Sequence, residues 1–176
     1  AVAAGSIGRL AMVRYSLRLH IAQADDGLAT QLAEAIDLAA FIAGKPAATV
    51  FAARQTRPGR YLLAHLALAD NAIGTVEVHA APPDERVFPP CEQLIVVGTN
   101  GTLRAGTDAP DKLIHSGAEP LAGHAAALRA MLRHVRGDGP PPTPHAEADA
   151  AMAACLAAER SAETGQPVAL ATGRAR

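Results

Sequence analysis

The chain opens on a period-two pattern. From Ile7 to Ile21 apolar and polar positions alternate, with Val13, Tyr15, Leu17, Leu19 and Ile21 on one side and Arg14, Ser16, Arg18 and His20 on the other. Such alternation predicts a strand with one face in a core and the other turned outward. Asp25-Asp26-Gly27 follows as turn and helix-start chemistry, because acids suit the positive end of a helix. Leu28, Leu32, Ile36 and Ala39 then recur at helical spacing, and Gly44 with Pro46 is expected to end that helix. Three strand-like runs come next, at Ala48 to Ala53, Tyr61 to Leu68 and Ile73 to Ala80, the last two joined by a compact turn at Asp70-Asn71-Ala72. Pro82-Pro83 and Pro89-Pro90 bracket a loop. Leu94 to Val97 is an apolar strand that Gly98-Thr99-Asn100-Gly101 turns into Thr102-Leu103-Arg104.

The pattern becomes helical again toward the end. Leu121 to Val135 places Leu121, Leu128, Leu132 and Val135 on one face, and a second helix is predicted over Ala146 to Glu163. Between them the Gly-Asp-Gly-Pro-Pro-Pro run at 137–142 reads as a stiff connection and not a domain boundary. Gly165-Gln166-Pro167 ends the last helix, and Val168-Ala169-Leu170 predicts a final short strand. All 176 residues fit one domain, 1–176, with enough apolar content for a real core. Aromatics are only 3% and Trp is absent, so that core must be built from Leu, Val, Ile and Ala, which lets helix and sheet approach closely.

The formal net charge of -1 argues against a polyanion-binding surface, so no nucleic-acid partner is expected. Charged residues or His interrupt every apolar run before it reaches the length of a membrane span, so no membrane partner is expected either. Cys91 and Cys155 are far apart without a C-x-x-C, which suggests two unpaired thiols in a cytoplasmic protein. The start, Ala1 to Ser6, lacks the basic and long apolar regions of a signal peptide.

Three stretches together carry a family resemblance. The first is Asp26-Gly27-Leu28-Ala29-Thr30-Gln31-Leu32-Ala33-Glu34-Ala35-Ile36-Asp37-Leu38 with Gly44-Lys45-Pro46. The second is the Leu94 to Leu103 hairpin, and the third is Ala154 to Leu170 with its Ser161, Gly165 and Val168. In this order they resemble the C-terminal domain of the Gfo/Idh/MocA oxidoreductases (glucose–fructose oxidoreductase and inositol dehydrogenase-like enzymes). The resemblance implies an α+β fold: a mixed, mostly antiparallel, open-faced sheet with helices packed on one face. It also implies a domain that binds substrate and builds homo-oligomers. In that family the nicotinamide cofactor sits on an N-terminal Rossmann domain, and these 176 residues contain no G-x-G-x-x-G and no E-K-P segment. The chain is therefore expected to be an excised or solitary C-terminal domain that carries no cofactor itself and takes NAD(P) only if a Rossmann-domain partner supplies the site.

Two groups of residues come forward as candidate sites. Thr30, Glu34 and Asp37 share a helix face. By resemblance they line the substrate cleft, with Asp37 matching the pattern, Glu34 standing where the family has its proton-handling His, and Thr30 where it has the partner Asp. No catalytic residue is assigned, because an imidazole is missing and Glu34 would need a raised pKa to replace it. The plainer alternative is a solvated Glu34, with Asp37 accepting backbone hydrogen bonds. The second group follows from strand alternation: Arg14, Arg18, His20, His65, Glu77 and His79 fall on the outward side of the strands. A solvated face, a dimer interface and an anion site all fit that set.

Other motifs carry less. His145-Ala146-Glu147 has the H-x-E of zinc deaminases, but the C-x-x-C is missing and the order with Cys91 is reversed, so no metal site is expected. Ser161 lacks the G-x-S-x-G context of a nucleophile. Arg129, Arg133 and Arg136 form a stripe without aromatics for base stacking and read as a solvated face. Three roles remain: a non-catalytic substrate-binding and association domain for a small polar ligand, half of a sugar or polyol oxidoreductase, or a degenerate ligand sensor or scaffold.

Overall fold

The computed structural model describes residues 6–20, 27–55, 60–68, 71–81, 91–106 and 120–171. Among these residues there are seven strands and three helices: β1 Leu10–His20, α1 Gly27–Ala43, β2 Ala47–Gln55, β3 Arg60–Leu68, β4 Ile73–Ala81, β5 Cys91–Gly98, β6 Thr102–Gly106, α2 Pro120–Val135, α3 His145–Thr164 and β7 Val168–Ala169. The strands form one sheet in the order β6-β5-β1-β4-β3-β2-β7. β1 runs parallel to β4, with Ser16 beside Glu77, and every other pairing is antiparallel. The expected α+β class with a mixed, mostly antiparallel sheet is the observed one. The Asp25-Asp26 turn, Asp70 and the two proline pairs bracketing 84–88 lie outside the described residues.

One face of the sheet makes the core. Val13, Tyr15 and Leu17 of β1, Val76, Val78 and Ala80 of β4, Leu62, Ala64 and Leu66 of β3, and Val50 and Ala52 of β2 are all buried there. α1 covers β1 and β4 through Leu28, Leu32, Ala35, Ile36 and Ala39, and α3 covers β2 through Ala154, Ala157 and Ala158. Fully burying a Leu or Ile contributes roughly 1.5–3 kcal/mol, so α1 alone accounts for several such increments. The alanines on α3 let its backbone lie close to the strand, as an aromatic-poor core requires.

That closeness gives Ser161 its task. β7 pairs with β2 only at Thr49 and Val50, so the next inward-facing amide, at Ala52, has no strand partner on that edge. The Ser161 hydroxyl, fully buried, accepts the Ala52 N–H at 2.9 Å and donates to the Gln166 carbonyl at 2.7 Å. It thus joins the sheet edge to the loop after α3. Gly165 stops the helix in the left-handed region at φ 69°, its amide returning to the Ser161 carbonyl. At the β3–β4 turn Asn71 takes φ 61°, a conformation Asn tolerates better than most residues.

The Gly98 to Gly101 turn joins β5 to β6 as expected and is strapped by the segment before β1. Thr99 and Asn100 donate their amides to the carbonyls of Arg9 and Ile7, each at 2.9 Å, and a Cβ at Gly98 would overlap the Ile7 carbonyl.

α2 forms over Pro120–Val135 as expected, with Leu128 65%, Leu132 53% and Val135 74% exposed and, among the described residues, few contacts with the sheet, α1 or α3. Helical periodicity fixes which residues share a face; it does not say what covers them. No helix of the described residues is long and apolar enough to cross a membrane.

Replacing Ser161 by Ala leaves a buried amide and a carbonyl without their partner. Chemical denaturation of the S161A variant is expected to show a loss of about 1–3 kcal/mol with an unchanged fold.

Candidate functional site

Thr30, Glu34 and Asp37 do lie on one side of α1, opposite the buried Leu28–Leu32–Ile36 stripe. Thr30 and Glu34 are exposed and Asp37 is half-buried. Glu34 also acts on a second group, one the alternation pattern had assigned only to the core. Tyr15 sits beneath the α1 margin, 8% exposed, and its hydroxyl donates to Glu92 Oε1 at 2.9 Å. Burial holds the Tyr15 phenol well above its ordinary value, and the hydrogen bond and charge of Glu92 and the charge of Glu34 push the same way. A buried phenol bonded to one carboxylate and in the field of a second keeps its proton and remains a hydrogen-bond donor. The arrangement at this edge is acidic, suited to accepting hydrogen bonds from hydroxyl or ammonium groups.

Sequence reading missed Glu92 because the apolar run begins at Leu94, whereas β5 starts three residues earlier at Cys91. Its register sets Glu92 beside Leu17, in the inward phase shared with Tyr15. Carrying the alternation of Leu94 and Val96 back one more step would have placed it there.

On the opposite face the outward residues meet. Arg14 Nη2 lies 2.9 Å from Glu77 Oε1, and Ser16 Oγ donates to Glu77 Oε2 at 3.1 Å. His65 Nδ1 and Thr75 Oγ1 are 3.4 Å apart, and the rings of Tyr61 and His79 stand edge to face with centroids 6.1 Å apart. Arg18 neighbours His79 in the register, and His20 closes β1 opposite Ala81. Five of the six expected residues thus sit on adjacent positions of β1, β4 and β3, and His20 lies at the strand end. Ser16, Tyr61 and Thr75 join them, all on the polar phase but not singled out from sequence. Phe51, 37% exposed, and Ile73, 53% exposed, extend this face with apolar surface. α1 and α3 leave it uncovered.

A dinucleotide would need free backbone amides in a glycine-rich turn ahead of a helix. The Gly98 to Gly101 turn does not fit: it joins two antiparallel strands, and the amides of Gly98, Thr99 and Asn100 are bound to Gly101, Arg9 and Ile7. Among the described residues no group of three or more His, Cys, Asp or Glu is placed to hold a metal ion. Cys91 and Cys155 are both buried free thiols. Burial pushes the Cys155 thiol up, and its Sγ donates to the Ala29 carbonyl at 3.5 Å, tying α3 to α1.

No protein family and no curated protein matches the sequence. Solved structures share the fold. The WlbA dehydrogenase from Bordetella pertussis, in complex with NADH and UDP-GlcNAcA, matches with a TM-score of 0.71 at 20% identity, over 97% of this chain and 58% of its own. A myo-inositol 2-dehydrogenase from Lactobacillus plantarum matches at 0.71 and 17%, over 97% and 59%. An oxidoreductase from Agrobacterium radiobacter, in complex with NAD+, L-tartaric acid and magnesium, matches at 0.68 and 22%, over 96% and 59%. The chain therefore has the fold of a large part of these proteins and spans about three fifths of their length.

The raised Tyr15 value has a consequence for alkaline stability. The folded protein holds the phenolic proton more tightly than the unfolded chain, so this contribution is complete below pH about 10 and is lost as pH rises beyond it. In an ultraviolet titration of the two tyrosines, Tyr61 is expected to ionise first and Tyr15 only as the protein unfolds. Tyr15→Phe should abolish the later step and leave the earlier one in place.

Proposed function

We propose that this chain is the substrate-side and subunit-association domain of a Gfo/Idh/MocA-type dehydrogenase, non-catalytic on its own. One observation carries the reading: the dehydrogenase structures are matched over nearly all of this chain, and the sheet they share keeps here a face that neither α1 nor α3 covers. A face bearing Phe51 and Ile73 beside the Arg14–Glu77–Ser16 cluster combines apolar area with satisfied polar groups, the composition of an association surface. In an isologous pair the same cluster meets itself about a two-fold axis.

The other side of the domain takes the ligand in this proposal. Thr30, Glu34 and Asp37 with the Tyr15–Glu92 pair form a polar edge for a small hydroxylated molecule, sugar- or polyol-like by family analogy. Oxidation or reduction of that molecule needs NAD(P), which a Rossmann domain, in the same polypeptide or as a partner, supplies together with its phosphate-binding turn. Two buried free thiols suit a reducing compartment, and we place the protein in the cytoplasm.

A second reading makes the chain half of an active oxidoreductase, with Glu34 as its proton-handling group. The charge of Glu34 bears on the buried Tyr15 phenol, so this carboxylate is within electrostatic reach of the Tyr15–Glu92 pair, and a carboxylate there can take a proton from a bound hydroxyl.

Light scattering after gel filtration tests the association role. The chain should run as a dimer or larger, and a variant carrying Phe51→Lys and Ile73→Lys should fall to half that mass or less with its thermal unfolding intact. A wild-type monomer at high concentration, or an unchanged mass in the variant, removes the sheet face from this role.

A further inference from the structure

The chain holds two asparagines, and each sits at a turn between strands. Asn71 precedes Ala72, which is buried and whose carbonyl accepts the Leu68 amide at 2.9 Å. Asn100 precedes Gly101, and both are exposed. The space beside Gly101 is open: a Cβ built there would meet nothing nearer than Ile7 Cγ2, at 3.8 Å. The other amides of this turn are engaged, Gly98 with the Gly101 carbonyl, Thr99 with that of Arg9 and Asn100 with that of Ile7, each at 2.9 Å. Among the described residues no backbone carbonyl accepts the Gly101 amide.

An asparagine carboxamide can close a five-membered ring with the main-chain nitrogen that follows it. The attack is intramolecular, so its rate depends on how freely that nitrogen reaches Cγ. A side chain on the following residue crowds the approach, and a hydrogen bond from the nitrogen restrains it. At Asn100 the glycine removes the first obstacle and the open amide removes the second. At Asn71 the buried Ala72 side chain keeps the first in place.

We propose that Asn100 is a site of spontaneous modification, converting through a cyclic imide to aspartate and isoaspartate, and that the isoaspartate form releases the strap on the β5–β6 turn. The Gly101 nitrogen bonds to Asn100 Cγ, the Cγ–Nδ2 bond breaks, and ammonia leaves with the proton that the nitrogen gave up. Water then opens the imide at either carbonyl. One water is consumed and one ammonia released, and nothing is oxidised or reduced. Opening at the main-chain carbonyl reroutes the backbone through Cγ and so adds one methylene to it. That methylene falls between the Asn100 amide, held by the Ile7 carbonyl, and the Gly101 carbonyl, which holds Gly98. The two bonds cannot both keep their present geometry. Ile7, 2% exposed, is the core residue the strap secures, and the Asn100 side chain lies against Gly8 in the same segment. The site is independent of the association and ligand surfaces.

Mass spectrometry of the aged protein reads the conversion directly. The native chain is held at mildly alkaline pH and then cut with trypsin. The peptide of residues 87–104 should gain the mass of an amide turned to an acid, while that of residues 61–86, which carries Asn71, should not. Gly101→Ala fits the open space without strain and should slow the gain about tenfold or more. No gain in the native chain while a urea-unfolded sample converts, or an unchanged rate in Gly101→Ala, overturns the proposal. Ion exchange separates converted chains by their added negative charge, and enzymatic methylation of the displaced carboxyl identifies the isoaspartate fraction. That fraction should melt below the unconverted protein. Asn100→Asp, which adds the charge without the methylene, should melt close to it. An isoaspartate fraction that melts like the unconverted chain, or an equal loss in Asn100→Asp, overturns release of the strap by the lengthened backbone.

Discussion

Burial on one side of a sheet is the constraint from which the rest of this structure follows. Each strand must send alternate residues into a core of Leu, Val, Ile and Ala and present the others outward, and a shift of one residue would reverse the two sets. Val13, Tyr15 and Leu17 therefore fix the register of Arg14, Ser16 and Arg18 as firmly as they fix their own burial. The outer cluster around Glu77 is positioned by packing it takes no part in. The Arg14 side chain is 44% exposed and only Glu77, at 17%, is largely covered, so solvent screens their ion pair and it adds little to stability. Its value lies in leaving a flat face whose polar atoms are already paired, and such a face loses less on being covered.

A core poor in aromatics imposes a second condition, close approach of α3 to the sheet. Large side chains on that helix would hold it off; three alanines and one serine do not. Once the backbone is that near, the unpaired edge amide of Ala52 comes within reach of a short hydroxyl, and Ser161 completes the edge where β7 is too short to do so. The third signature stretch thus owes its serine to sheet-edge hydrogen bonding and its glycine to the left-handed turn that follows α3. Neither needs a catalytic explanation. The Gly98 to Gly101 turn is similar: it is a glycine-rich run whose amides are engaged by the segment before β1 and whose glycine makes room for that segment.

Element types and the inward and outward residues of β1, β3 and β4 were legible because periodicity is a local property, set by the geometry of strand and helix. Where the sequence was silent, the deciding factor was not local. β5 begins at Cys91 because it pairs with β1 as far as Arg18, and only that pairing draws Glu92 into the inward phase beside Tyr15. No apolar run announces it. For α2 the periodicity was right about the stripe, but cover depends on the path of the chain after residue 136, which a pattern of side chains does not encode. Thr30, Glu34 and Asp37 share a face for purely helical reasons; the link between Glu34 and Tyr15 needed the sheet.

The acidic edge and the bare stripes can be weighed together. Glu92 accepts from a phenol that burial keeps protonated, with the charge of Glu34 acting the same way, so this edge offers acceptors and one held donor. Such a set orients hydroxyl groups through hydrogen bonds of about 0.5–1.5 kcal/mol each, too little to bind a small molecule tightly in a site open on one side. Affinity requires a second wall that excludes water, and α1 supplies only one. Among the described residues the outer sheet face and the exposed stripes of α2 and α3 likewise have little cover. A domain this size can bury one continuous core, and this one has spent its apolar residues on the sheet beneath α1 and α3. Among the described residues, exposed large apolar side chains remain on α1 (Phe41), on the outer sheet face (Phe51, Ile73), along α2 (Leu128, Met131, Leu132, Val135) and on α3 (Met152, Leu156). The fold thus supplies ordered, register-fixed surfaces, acidic along the Tyr15–Glu92 edge and mixed apolar and polar on the outer sheet face.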